Sequence, residues 1–468
     1  MVLGRQRTRS GADGSRGVPL WAEGREAPPR RPALSSSATA DVAIVGAGFT
    51  GLWAAYYLLK ADPSLRVVLL EREHAGFGAS GRNGGWCSAI FPVSLDRVRN
   101  LYSHKAALEL QRAMNETVAE VGRVTEHESI DCDFTAEGLV SLARTPAQLA
   151  RAKATVSGAT AFGVEGQWQL LNSEQARAKI NAEDVLGGVY TPHCALLHPD
   201  KLVRGLVDRV VTMGGTIYEN AEVTSIGKGC ARTVHGTVTA SVVIRATEAF
   251  TPQFAAYRRH VAPLYSMVVA TAPLPDTVRK DLGFDSRVAF NDMRNLRIYA
   301  HPTADGRLVF GGRGAPYHFR SKVSPGYDVD TRIHAKIIKT MRAFFPALAE
   351  AEITHRWGGP LGVPRDWFPS IGYDTSSGIA WAGPYVGDGV ATSNLAGRVL
   401  RNLITGRDDE LNGLPVVNHT SPRWEVEPFR WIGVNAGLQA AATADLEERL
   451  TKRPSKVSAL LEKLTGAH

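Results

Sequence analysis

Cysteine is scarce in this chain. Its 468 residues hold four, Cys87, Cys132, Cys194 and Cys230, far apart and with no metal-type pairing. That spacing argues against a zinc module or a disulfide scaffold and fits free thiols in a reducing compartment, so a cytoplasmic setting is expected. Long apolar runs are missing too. None approaches the ~20 residues needed to cross a bilayer, so no membrane span is expected. No metal-ligand cluster and no Ser/His/Asp constellation stands out, which leaves metal-assisted and nucleophilic hydrolysis without a basis in sequence. What remains is an ordinary globular composition, long enough for two or three associated domains with ample core.

The net charge of +8 is unevenly placed. Residues 1–40 hold seven arginines against Asp13, Glu23 and Glu26, a net of +4. This Gly-, Pro-, Ser- and Arg-rich stretch is expected to be a disordered basic arm over 1–37, because it has too little apolar surface to fold alone. Leu20-Trp21 is its one anchor for the body. Arg30-Arg31 is not followed by an apolar segment, so it is no export signal, and the Gly and Pro content argues against a transit helix. A solvated arm is preferred to a nucleic-acid contact, and no nucleic-acid partner is expected. At the other end, residues 421–468 read as a helical cover, with helices over Asn435–Arg449 and Ser455–Leu464.

The chain is organised around Asp41-Val-Ala-Ile-Val-Gly46-Ala47-Gly48-Phe49-Thr50-Gly51. Ala43, Ile44 and Val45 make the short apolar run of a parallel strand. Gly46 allows a sharp turn, Gly48 allows backbone N–H groups to approach a pyrophosphate, and Gly51 allows the helix to pack on the strand. Leu52, Ala55, Tyr56 and Leu59 then recur at helical spacing. A second strand, Val67–Leu70, ends in Glu71, where a ribose-binding acid is expected, with Arg72 next to it. A lone glycine motif is weak, but here strand, helix, second strand and acid are all in place. The motif by itself leaves NAD and FAD open.

Directly after the second strand, five of the twelve residues from Ala75 to Trp86 are glycine. No regular element tolerates that, so this is a loop where backbone approaches a ligand closely. Ala79, Ser80, Gly81, Arg82, Asn83, Gly84 and Gly85 are its candidate cofactor contacts. The first turn, Glu71 and Gly78-Ala-Ser-Gly-Arg-Asn-Gly-Gly85 together resemble the D-amino acid oxidase-like (DAO) superfamily of FAD-dependent oxidoreductases. Within it, the Ser-Gly-Arg-Asn-Gly-Gly form is similar to the gamma-glutamylputrescine oxidase and glycine/sarcosine oxidase branch. The resemblance covers roughly residues 38–420.

It implies an α/β fold, with a Rossmann-type FAD-binding domain and a second α+β substrate domain built on an antiparallel sheet. The implied FAD-binding segments are 38–95, 196–260 and 356–420, and the substrate segments are 96–195 and 261–355. Val223 resembles the position whose backbone contacts adenine. The family's Ala-Thr-Gly stands here as Ala246-Thr247-Glu248, so a glutamate must point away from the cofactor or make a contact of its own. Candidate walls of the substrate sheet are Tyr265, Tyr299, Arg313, Tyr317 and His318. His198 reads as a helix cap or core residue.

A second strand–glycine–helix unit ends the resemblance. Ile379–Ala382 leads to Gly383-Pro-Tyr385-Val-Gly387-Asp388-Gly389-Val390-Ala391 and a helix to Ile404. Glycine turns at both ends of a long chain favour FAD, whose flavin ring extends far from its ADP half and needs a separate helix end, where the dipole favours the negative charge of reduction. The implied reaction is hydride transfer from an amine or amino-acid C–H to flavin N5, giving an imine that hydrolyses. Oxygen or an electron carrier would take the electrons. Arg82, Trp86, Tyr265, Trp357 and Tyr385 are the candidates nearest the reaction. No histidine lies in Gly78–Trp86 to carry a covalent link and Cys87 is a poor candidate, so noncovalent FAD is expected. An NAD-linked dehydrogenase and a flavin-binding protein without turnover stay open.

Overall fold

Ile44 is completely buried because its strand, Ala38–Val45, has a parallel neighbour on each side. Val42 pairs with Val67 of one neighbour and Val242 of the other. The computed structural model describes residues 17–24, 31–164, 166–312 and 314–458. Its first eight-stranded sheet runs Ile371–Asp374, Ile379–Ala382, Thr237–Arg245, Ala38–Val45, Val67–Leu70 and Thr216–Tyr218, with two further strands forming a hairpin off this path. All the pairings are parallel from Ile379–Ala382 to Thr216–Tyr218, as expected for strands buried on both faces. The helices Phe49–Ala61 and Gly389–Thr405 pack side by side on it. Gly397 permits this, since a Cβ there would sit 2.8 Å from the backbone carbon of Trp53.

The second eight-stranded sheet is the substrate-domain sheet expected from the resemblance. It is antiparallel apart from the pairing of Ala289–Asp292 with Leu139–Ala143, which is parallel. Its two longest partners are Ala262–Thr271 and Ile353–Val363, which place Leu264 opposite Leu361, Ser266 opposite Gly359, and Val268 opposite Trp357. Side chains alternate across a strand, so these six share one face. Tyr265, Met267 and Val269 point to the other, into a core with Phe310 and Phe344.

Several expected boundaries shift. Helix Leu95–Leu101 is separate from His104–His127, because Ser103 caps the second helix by accepting from the Ala106 N–H. Leu110, Met114, Val118 and Val121 of that second helix pack in the core of the first sheet, although their sequence position suggested the substrate domain. Trp357-Gly358-Gly359 lies within strand Ile353–Val363, which belongs to the second sheet. The cover helix starts earlier than expected, spanning Phe429–Thr451. It is pinned by Arg151 to Glu448 through two bonds of 2.7 and 2.6 Å, and by Asp445 to the backbone of Asn295 and Leu296. The rest of the second C-terminal helix, and Arg313, lie outside the described residues.

The largest correction concerns residues 1–37. Of these, 17–24 and 31–37 are described, and they pack on the body. Leu20–Ala22 forms a 3-10 turn, with Leu20 and Trp21 buried. Trp21 meets Trp357, His198 and His301, and its indole N–H donates to the Asn83 carbonyl at 2.8 Å. Arginine-rich composition hid this, because one buried tryptophan supplies the apolar area that the average lacks. Trp21→Ala is expected to destabilise the protein by about 3 kcal/mol in denaturant unfolding, at the low end for tryptophan truncation because only a short strap is released. A loss below about 1 kcal/mol would show that the strap adds little to the fold.

Candidate functional site

Gly46 has φ +105°, and a Cβ there would lie 2.5 Å from the Ala246 carbonyl oxygen. A Cβ at Gly51 would lie 2.0 Å from the Gly46 oxygen, so the turn closes only around glycine. The helix it opens, Phe49–Ala61, has no side-chain cap from Gly48. Instead the Phe49 N–H donates at 2.8 Å to Ser80 Oγ, brought in from the glycine-rich loop. Glu71 ends the next strand and accepts from the N–H groups of Ala47 at 2.9 Å and Glu73 at 3.1 Å. Burial pushes its carboxyl above the usual range against those two hydrogen bonds. Arg72 donates to Gln253 Oε1 at 3.1 Å and lies over the Phe250 ring.

The glycine-rich loop is held by its own polar side chains. Asn83 donates to the Ala79 and Ser80 carbonyls and accepts from the Gly85 N–H. Arg82 donates to the Phe77 carbonyl and forms a 3.0 Å ion pair with Asp328. Burial lifts the Asp328 carboxyl to about 6, although Arg82 pulls the other way. Gly84 admits the Tyr299 ring, which would be 2.7 Å from a Cβ.

The second turn meets the first. Gly387 has φ +107°, and helix Gly389–Thr405 begins with no side-chain cap. Tyr385 OH and Thr50 Oγ1 are 3.0 Å apart, joining the start of one helix to the approach of the other. Burial raises the Tyr385 hydroxyl pKa well above its ordinary value. The cleft between the turns is walled by Gly46, Gly48, Thr50, Glu71, Ser80 and Val223 at one end. Thr247, Glu248, Tyr385, Gly387, Gly389 and Val390 wall the other. Ala79, Asn83, Leu361, Gly387 and Val390 also border a second cavity of about 190 Å³ beneath the substrate sheet. Ser266, Asn291, Tyr299, Gly359, Trp86 and Arg82 line that cavity.

Most of the expected first-turn, loop and second-turn residues therefore come together at the cleft with Tyr385, and Arg82 and Trp86 reach the adjoining cavity. Tyr265 does not. It lies on the opposite face of its strand, where its hydroxyl meets the Ser324 backbone and its ring meets His318 and Tyr327. Strand alternation decides this, since Ser266 takes the cavity face. Trp357 is completely buried under Trp21 and donates to the Arg82 carbonyl at 2.9 Å, so it props the loop without lining either cavity. Tyr317 is committed to Ser321 and Glu427, and His318 is stacked on Tyr327. His198 caps helix Pro199–Thr212, as its position suggested.

Asn291 was missed in the sequence. It is 5% exposed, lines the second cavity, and its Oδ1 is a buried acceptor with no hydrogen-bond partner among the described residues. The buried Trp86 Nε1 on the same wall is a donor without one among those residues. The signal was an asparagine in a short apolar run, a poor strand former placed where only a polar requirement explains it. Opposite Asn291 in the ladder stands Tyr299, whose hydroxyl is 2.9 Å from Ser266 Oγ.

Two uncapped helix starts around a strand–glycine–helix cleft define a dinucleotide-binding protein of the Rossmann type. The chain belongs to the DAO family, FAD dependent oxidoreductases, whose model matches residues 41–403. The chain is thus an FAD-dependent oxidoreductase, which decides between the two cofactors that the first turn left open. It is 31% identical to gamma-glutamylputrescine oxidoreductase of Escherichia coli over 429 residues, covering 89% of this chain and 95% of that protein. It is 29% identical to the probable oxidoreductase OrdL of Haemophilus influenzae, covering 81% and 86%. Among solved structures, glycine oxidase from Geobacillus kaustophilus shares the fold with TM-score 0.68 at 22% identity, over 82% of this chain and all of that one. L-proline dehydrogenase from P. horikoshii does so with TM-score 0.66 at 19% identity, over 81% and 96%. Among the described residues no helix is long and apolar enough to cross a membrane.

Glu248 makes the contact of its own that its position demanded. At φ +42°, its carboxylate accepts from the Gly362 N–H at 2.7 Å and the Tyr385 N–H at 3.4 Å. It thereby ties the substrate sheet to the second turn. Burial raises its carboxyl from 4.5 to about 7, against those backbone donors. A carboxyl raised on folding stabilises the protein fully below its unfolded pKa, and that contribution is lost as pH rises through the folded pKa. The loss falls between pH 5 and 7 and amounts to about 2 kcal/mol. Glu248→Gln keeps an acceptor for Gly362 but cannot ionise. The stability difference between wild type and this variant should shift in the variant's favour by that amount over pH 5–7, as read from unfolding midpoints; parallel pH profiles would refute it.

Proposed function

We propose that this chain oxidises the C–N bond of an amine or amino acid, with FAD held noncovalently in the cleft. The observation that carries this reading is the junction of the two cavities. The cleft between two uncapped helix starts opens, through Leu361, Gly387 and Val390, onto a small cavity walled by Asn291, Tyr299 and Ser266. The relatives' printed names point the same way, since gamma-glutamylputrescine oxidoreductase and glycine oxidase both act on C–N compounds.

The residues present fit FAD. Gly46 and Gly51 let the first turn close where a Cβ would meet backbone, and Gly387 takes φ +107° at the second turn. Glu71 and Val223 would take the adenosine end, with Arg72 bordering it. Gly46, Ala47, Gly48, Phe49, Thr50 and Gly51 would hold the pyrophosphate with Ser80, and Gly387, Asp388, Gly389, Val390 and Ala391 the flavin end. Ala79, Gly81, Arg82, Asn83, Gly84 and Gly85 shape the loop between. Noncovalent binding is supported by Cys87, whose thiol is fully buried and pushed far up, so it is a poor nucleophile. Bound FAD supplies the two-electron acceptor, so that the amine leaves as an imine that water hydrolyses. The Oδ1 of Asn291 is placed to accept the amine N–H and orient it. The paired Tyr299 and Ser266 hydroxyls complete a polar spot beside it. Arg82 acts as a positioning residue through Asp328 and the loop. An amine that arrives neutral needs no general base.

Purified protein should be yellow, and acid precipitation should leave the colour in the supernatant; colour in the pellet would rule out noncovalent binding. Gly48→Val should fold but emerge largely without flavin, because its Cβ would press at 2.8 Å on Ser80 Oγ, the acceptor of the Phe49 N–H, and narrow the path for phosphate. An anaerobic screen of amines and amino acids, watching flavin absorbance, tests the reaction. A yellow protein that no such compound bleaches would be a flavin carrier and not an amine oxidoreductase.

A further inference from the structure

A third cavity, of about 640 Å³, lies between the cover helix Phe429–Thr451 and the same face of the substrate sheet. It shares Arg297, Leu361 and Trp367 with the small cavity beneath the sheet. The strand register explains the connection. On one face, Ser266 and Val268 line the small cavity, and Leu264, one step further along, lines the large one. On the partner strand the same face runs from Gly359 through Leu361 to Val363. A molecule seated by Asn291 could therefore extend along a continuous strip into the larger space.

That space is apolar. Leu264, Leu361, Val363, Trp424, Val434 and Leu438 supply its walls. Its charged borders are neutralised locally. Arg294 pairs with Asp292, Arg365 with Glu425, Arg430 with Glu427 and Arg151 with Glu448. Its polar groups are occupied too, Ser458 with Asn295 and the Tyr265 hydroxyl with the Ser324 backbone. The cover helix keeps the space open with small residues. Gly433 and Gly437 both border it, and among the described residues a Cβ at either would meet nothing within 4 Å. A helix gives up stability for each interior glycine, so two of them four apart on the cavity side point to a volume kept clear.

We infer that this cavity receives the substituent of the amine, and that the substrates are monoamines carrying a large apolar arm, alkyl or aryl, in preference to small amino acids. The inference rests on the C–N oxidation proposed above. A chain ending in another ammonium would have to carry that charge out of water into an apolar space, so diamines are disfavoured.

The test is an anaerobic titration of the yellow protein with a homologous series, ethylamine to octylamine, together with phenylethylamine, glycine and 1,8-diaminooctane. Binding is read from the flavin spectrum and reduction from its bleaching. Affinity should rise roughly fourfold per methylene until the cavity is filled. Octylamine should exceed both glycine and 1,8-diaminooctane at least tenfold in reduction rate divided by Kd. Gly437→Leu, which fills the space and favours the helix, should cut the octylamine-to-ethylamine ratio of that quantity by tenfold or more. Equal bleaching by ethylamine, glycine and octylamine, or a ratio that Gly437→Leu leaves in place, overturns the apolar arm while C–N oxidation stands. If none of these compounds, and no other amine or amino acid, bleaches the flavin, both readings fall together. The wild-type series decides the matter even if the variant does not fold.

Discussion

Everything in the site depends on two helix starts being forced to share one cleft. Phe49–Ala61 and Gly389–Thr405 lie side by side with their N-terminal ends together, clamped by the 3.0 Å contact of Thr50 with Tyr385 and by the close approach at Gly397. Each end carries about half a positive charge, and neither has a side-chain cap of its own. Two like partial charges brought side by side would repel in an apolar setting. An anionic ligand lying between them turns that repulsion into attraction, and a dinucleotide with a reducible ring presents negative charge to both ends. The apolar packing that drives the helices together thus also creates the demand for the cofactor.

The substrate sheet obeys a simpler constraint, the period of two along a strand. Once Leu264 pairs with Leu361 and Val268 with Trp357, the whole face from the strap to the cover helix is determined. Walking along it, one meets Trp357 under Trp21, then Ser266 and Gly359 at the small cavity, then Leu264 and Val363 at the large one. A slip of one residue would bring Tyr265 to the cleft and bury Ser266 instead. The polar spot and the apolar reservoir are consequences of one register, so their spacing along the face is fixed by backbone geometry and not by loop conformation.

This explains what was legible in the chain and what was not. The glycine turns could be read because their demands are local: Gly46 needs positive φ, Gly51 has no room for a Cβ, and Glu71 follows a strand at a set distance. The oddity of Glu248 was visible as well, since a side chain where glycine is expected must find partners. Which face Tyr265 takes could not be read, because parity depends on a partner strand some ninety residues away. Strand Ala289–Asp292 could not be read as one, being a short run without clear alternation, so Asn291 stood out by residue type but not by its place on a wall. Helix His104–His127 has an amphipathic pattern that says it packs, but the sheet it packs on is set by topology. Trp21 was noticed as an anchor, yet average composition argued for disorder around it.

The strap shows how far such a distant anchor reaches. Trp21 donates to the Asn83 carbonyl, the Asn83 amide holds the Ser80 carbonyl at 2.7 Å, and Ser80 Oγ receives the first free N–H of the dinucleotide helix. Three hydrogen bonds therefore link residue 21 to the helix start at Phe49. Trp357 braces the same loop from the other side by binding the Arg82 carbonyl, and its ring lies against Trp21. A glycine-rich loop has high conformational entropy when free, so a ligand that had to order it would bind more weakly. Here two tryptophans and one asparagine fix the loop beforehand. The glycines keep the backbone close to the ligand, while the rigidity they forfeit is restored by Trp21 and Trp357 from outside and by Asn83 within the loop.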